Sequence, residues 1–91
     1  MNEQNRPTKQ VLIDYEERQS LEQATALLET IVAKLKEQGK FTFKQGETEI
    51  EIQPSGQIQT EIKYEVKGDK HSFEIELEWI PGQADQKMEI L

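Results

Sequence analysis

Residues 57–79 read QIQTEIKYEVKGDKHSFEIELEW, and this stretch decides the fold. Ile58, Thr60, Ile62, Tyr64 and Val66 alternate with Gln57, Gln59, Glu61, Lys63, Glu65 and Lys67. After Gly68-Asp69, the residues His71, Phe73, Ile75, Leu77 and Trp79 alternate with Ser72, Glu74, Glu76, Glu78 and Ile80. A period of two marks a strand with one dry and one wet face, and Gly-Asp between two such runs is a two-residue hairpin turn. That turn sets Tyr64 opposite Phe73, Ile62 opposite Ile75 and Ile58 opposite Trp79.

The same period runs upstream. Phe41 and Phe43 alternate with Thr42 and Lys44, and Thr48, Ile50 and Ile52 alternate with Glu47, Glu49 and Glu51. Taking Gln45-Gly46 as a two-residue turn puts Phe43 opposite Thr48 and Phe41 opposite Ile50. Taking Pro54-Ser55-Gly56 as a three-residue turn puts Ile52 opposite Ile58 and Thr48 opposite Ile62. All apolar residues then share one face. A slip of one residue would invert a whole strand, so the agreement predicts a four-stranded antiparallel meander.

Residues 20–38 have a different period. Leu21, Ala24, Leu28, Ile31 and Leu35 step by three and four, and Leu27 and Val32 widen them into a helical stripe. Ser20 followed three residues later by Gln23 is a capping-box pattern. Gly39 stands where a left-handed residue ends a helix, with Lys34 and Lys36 in the last turns. Before it, Val11, Ile13 and Tyr15 alternate with polar positions apart from Leu12, which predicts a first strand over 11–18 on one edge of the sheet. One apolar stripe and one apolar sheet face cover each other in two layers. The predicted class is α+β: one helix packed on a mostly antiparallel sheet of about five strands, in the order β-α-β-β-β-β, with a cystatin-like outline. A cystatin-type inhibitor is not expected, because its Gln-x-Val-x-Gly loop has no counterpart. Ile62 and Ile75 are the expected sheet centre, with Leu28 and Ile31 above them.

At 91 residues the chain has room for a single domain. It is expected over 11–80, between a mobile arm at 1–10 and a polar tail at 81–91. The apolar Met88-Glu89-Ile90-Leu91 closes that tail and is expected to be disordered unless it folds back on an edge or adds to a second copy. Acidic residues number 18 against 11 basic ones, for a net charge of −7, and there is no cysteine. The missing cysteines remove disulfides, thiol nucleophiles and thiolate metal sites. The acidic balance argues against nucleic acid, whose phosphates call for clustered Lys and Arg. Apolar runs fall far short of the ~20 residues of a membrane helix. Met1 to Gln10 has no apolar core of a secretory signal, so the expected location is cytoplasmic.

The succession Tyr15-Glu16-Glu17-Arg18, the capped helix from Ser20 to Gly39, and Phe73-Glu74-Ile75-Glu76-Leu77-Glu78-Trp79 resembles the amphi-Trp domain proteins, a family of small prokaryotic proteins. The resemblance covers Val11 to Trp79 and leaves the tail from Ile80 onward outside. It implies a fold and a cytoplasmic location, but no activity or catalytic residue.

The candidate sites follow from the register. On the wet face it places Thr42, Glu49, Glu61 and Glu76 in one row, so three carboxylates are neighbours. Lys44, Glu47, Lys63 and Glu74 form a second row of alternating sign, and Glu51, Gln59 and Glu78 a third. Neighbouring like charges destabilise. Such a row receives a Lys or Arg from a partner, takes a divalent cation through oxygen ligands, or stays a solvated face that discourages sheet-to-sheet association. His71, the only histidine, faces Val66 and reads as structural, since one His builds neither a triad nor a closed metal site. Trp79 caps the core or forms the edge of a groove between sheet and helix. The expectation is a non-catalytic interaction module that presents an acidic open sheet face, with Glu49, Glu61, Glu76, Glu51 and Glu78, to a basic protein partner. It needs no cofactor, metal, nucleic acid or membrane, and is a monomer or weak homodimer. The alternatives are an acidic mimic of nucleic acid, a cation binder, and a small enzyme using Glu61 and Glu76 as an acid–base pair.

Overall fold

The computed structural model describes residues 8–82 and Ile90. It is α+β, with one helix and four strands: α1 Leu21–Gln38, β1 Phe41–Gln45, β2 Thr48–Ile52, β3 Gln59–Lys67 and β4 Lys70–Glu78. The chain forms two compact units, Met1–Ile52 and Gln53–Leu91. The first holds α1 and the antiparallel pair β1–β2, the second the antiparallel pair β3–β4.

Helix α1 begins and ends as its sequence dictates. Ser20 sits at the N-cap with extended backbone (φ −74°, ψ 162°). Its Oγ accepts from the Gln23 backbone N–H at 3.1 Å, and the Ser20 N–H donates back to Gln23 Oε1 at 3.1 Å. Such a cap stabilises a helix by ~0.5–2 kcal/mol. Gly39, at φ 70°, adopts the left-handed form that only glycine reaches at no steric cost, and its N–H reaches Leu35 O at 2.9 Å. The apolar stripe is only partly covered. The helix lies against β1; Ala24, Ile31 and Leu35 are half-buried, whereas Leu27, Leu28 and Val32 stay exposed.

The β3–β4 register is the one the sequence predicts. Ile62 lies opposite Ile75, Tyr64 opposite Phe73 and Val66 opposite His71. Gly68 has φ 59°, while among the described residues no non-glycine residue has a positive φ. A glycine with positive φ at the first turn position and an ordinary residue at the second make a type II′ turn.

Three expectations need correction. The turn between β1 and β2 is Gly46-Glu47, not Gln45-Gly46, so Phe43 lies opposite Ile50 and Phe41 opposite Ile52. The physical reason is again Gly46, at φ 57°. As the first turn residue it supplies a type II′ turn, whereas the expected placement asks Gln45 for a positive φ, which a side chain resists. The second correction is the first strand. Residues 11–18 form none; Tyr15 instead packs its ring on Phe43, with centroids 6.0 Å apart at 58°. Adjacent Val11 and Leu12 break the alternation that a half-buried strand needs.

The third is the sheet. The four described strands form two antiparallel sheets of two strands each, and the expected five strands in cystatin-like order are not confirmed. The connection from Ile52 to Gln59 is longer than a three-residue turn, and Pro54 within it lacks an N–H for a ladder. Ile62 is 66% exposed, Ile75 57% and Leu28 53%, and no described residue is fully buried. The expectation for the tail falls outside the described residues except for Ile90, which is exposed.

Candidate functional site: the polar face of the β3–β4 hairpin

Alternation sends every odd position of β3 and every even position of β4 to one face. Cross-strand partners there are Gln59 with Glu78, Glu61 with Glu76, Lys63 with Glu74, Glu65 with Ser72, and Lys67 with Lys70. The face has a polarity along its length. Glu61, Glu76 and Glu78 gather at the open end, and Lys67 and Lys70 flank the turn. In the middle, Lys63 Nζ lies 3.5 Å from Glu65 and 4.0 Å from Glu74. Glu65 first, and then Glu74, hold Lys63 protonated to a pH above its ordinary 10.5. Both ion pairs are exposed and screened by solvent, so they add little to stability.

The expected row of three carboxylates is brought together only in part. Glu61 and Glu76 are direct partners. Glu49 lies opposite Lys44, and Glu51 opposite Thr42. Both moves follow from the corrected turn, which shifts the partners of β2 by two positions while keeping its faces. Lys40 Nζ, at 3.2 Å, bridges to Glu51, a contact the sequence reading did not identify. Glu47, expected opposite Lys44, is a turn residue. Among the described residues no three His, Asp or Glu side chains converge as metal ligands.

His71 lies on the opposite, apolar face. Its Nδ1 is hydrogen-bonded to the Tyr64 hydroxyl, and the two rings stack with centroids 5.8 Å apart at 35°. This diagonal cross-strand pair was legible in the register but had not been singled out. Trp79 is half-buried just beyond β4 and lines an open groove with Gln57, Ile58, Leu77 and Ile80. The groove is built within the hairpin unit, from the strand ends that the turn register brings side by side.

The Amphi-Trp domain family model matches the chain over residues 6–91. The chain belongs to the Amphi-Trp domain family. The match extends beyond Val11–Trp79 at both ends, so the tail from Ile80 onward is part of the family pattern, contrary to expectation. No curated protein and no solved structure matches the chain. Among the described residues no helix is long and apolar enough to cross a membrane.

Proposed function

We propose that this Amphi-Trp domain is a non-catalytic interaction module that offers the polar face of β3–β4 to a basic protein partner. The observation that carries the reading is the direct pairing of Glu61 with Glu76, next to Glu78, at one end of an ordered hairpin. A Lys or Arg of a partner placed at that end meets three carboxylates on one face. Two features weigh against acid–base catalysis: the carboxylates are exposed, and a flat face in water neither excludes solvent nor holds a substrate. The nucleic-acid mimic is less well supported, because Lys63, Lys67 and Lys70 interrupt the acidic field on the same face. A chain without cysteine needs no oxidising compartment, which supports the cytoplasm as its place of work.

The test is a titration with a lysine-rich peptide followed by amide shifts. Shifts centred on Glu61, Glu76 and Glu78 are expected at low salt. They should fade near 1 M salt, where the screening length drops to about 3 Å. The triple substitution Glu61→Gln, Glu76→Gln, Glu78→Gln should abolish them. Shifts centred elsewhere, or none at low salt, would overturn the assignment. For a partner captured from lysate, displacement by DNA would favour the mimic.

A further inference from the structure

The β3 strand has one edge against β4, and among the described residues no strand pairs with its other edge. A two-stranded hairpin is marginal in water by itself, and three or more strands with an apolar face are stable. The sequence of that edge contains its own complement. Read outward from Tyr64, Lys63 is mirrored by Glu65, Ile62 by Val66 and Glu61 by Lys67. We infer that two copies of this chain join through antiparallel pairing of β3 with β3 about a two-fold axis at Tyr64. The product is a four-stranded sheet with the two β4 strands outermost.

In this register each Glu61 meets Lys67 of the second copy, and each Lys63 meets its Glu65. Every charged residue from 61 to 67 thus faces the opposite charge. On the other face Ile62 meets Val66 and Tyr64 meets Tyr64, so the apolar faces of both hairpins become continuous. A shift of the axis to Lys63 sets Lys63 against itself and Glu61 against Glu65, and a shift to Glu65 is equally repulsive. Charge and length together favour this register: an axis at Ile62 pairs only Glu61 with Lys63 among unlike charges, and an axis at Val66 leaves only residues 65–67 of the two β3 strands facing each other.

The backbone agrees with this choice. A two-residue turn closes on the hydrogen-bonded pair Lys67–Lys70, so the odd residues of β3 turn their N–H and C=O toward β4. Even residues, Tyr64 among them, turn theirs to the open edge, where they would form the hydrogen-bonded pairs of the new ladder. The charged odd residues then fall at the non-hydrogen-bonded positions, where Cα atoms approach to ~4.5 Å and side chains interact most closely. The dimer and the basic partner proposed above share Glu61, which Lys67 of the second copy would meet, while the polar face of β4 lies outside the new pairing.

Sedimentation of the full chain over a range of concentrations tests it. The wild-type protein should dimerise, more weakly in high salt. An all-acidic edge (Lys63→Glu, Lys67→Glu) and an all-basic edge (Glu61→Lys, Glu65→Lys) should each weaken self-association about a hundredfold, because four unlike-charge pairs become like-charge pairs. Mixed together, the two variants should form a one-to-one heterodimer. A second measurement does not depend on how those variants fold. Residues 61 and 67 lie ~20 Å apart along one strand, so Glu61→Cys with Lys67→Cys cannot close within a hairpin and should oxidise to a covalent dimer. A wild-type chain that stays monomeric, an all-acidic variant that dimerises like it, or a cysteine pair that leaves no covalent dimer would overturn the inference. So would an intrachain disulfide in Glu49→Cys with Glu61→Cys, which would give the edge to β2 of the same chain.

Discussion

Tyr15 shows how a single side chain replaces an expected strand. Its ring rests on Phe43, and its hydroxyl donates to Glu17 Oε2 at 3.2 Å. The contact fixes the segment before α1 without any backbone ladder. The Glu17 hydrogen bond, then its charge, and last a small loss of hydration raise the phenol above its ordinary pKa of 10.0. A proton held more tightly in the folded state gives stability that is present below pH 10.0 and lost as pH rises through the raised value. Titration of the Tyr15 ring by NMR should therefore give a midpoint above 10.0, and Glu17→Gln should bring it down. Tyr15→Phe should leave the ring shifts of Phe43 in place and remove this part of the alkaline pH dependence. A midpoint unmoved by Glu17→Gln would break the link between the two residues.

Among the elements, those with complete local signals were legible, and those that depend on a distant partner were not. Ser20, Gln23 and Gly39 place both ends of α1 within a few residues of sequence. Gly68-Asp69 places β3 and β4 in register for the same reason. The β1–β2 turn carries the same signal, since Gly46-Glu47 has glycine at the first position just as Gly68-Asp69 does. Read consistently, it would have put Glu49 across from Lys44 in advance, whereas the row of three carboxylates rested on the turn expected between β2 and β3. The pairing of β2 with β3 had no comparable signal, because Pro54, Ser55 and Gly56 fit a longer connection as well as a tight turn. Of the candidate site, the Glu61–Glu76 pair was legible because it depends on Gly68-Asp69 alone. The register of β1–β2 is open to direct measurement. A Cα–Cα proximity signal should join Phe43 with Ile50, not with Thr48. Gly46→Ala should cost ~1–2 kcal/mol from its positive φ alone, because nothing lies within 4 Å of the added methyl. The replacement Gly46→Asn with Glu47→Gly, which suits a type I′ turn of the same length, should keep the register. A Phe43–Thr48 signal in the wild type would restore the other turn.

At the scale of the whole molecule, the apolar faces are the main fact. The α1 stripe is half-covered, and the β3–β4 face carries Ile62, Tyr64, Phe73 and Ile75 in contact with water. Alternation of residue type along a strand specifies that such a face exists, but it does not specify what lies on it. The sequence therefore made Ile62 and Ile75 look like the centre of a core. The two situations differ measurably. A buried isoleucine loses ~2–5 kcal/mol on truncation to alanine, because hydrophobic transfer and a cavity both contribute. Ile62 is 66% exposed, so only about a third of its side-chain transfer energy is at stake. Full burial is worth ~1.5–3 kcal/mol and no cavity is created, which puts Ile62→Ala at about 1 kcal/mol or less. Urea unfolding at dilution should return that small loss. A loss of ~2–5 kcal/mol at every concentration would mean that the hairpin face is covered in the isolated chain. A loss that grows as the protein is concentrated would place the cover on a second copy, since any species that binds only the folded form adds stability by mass action.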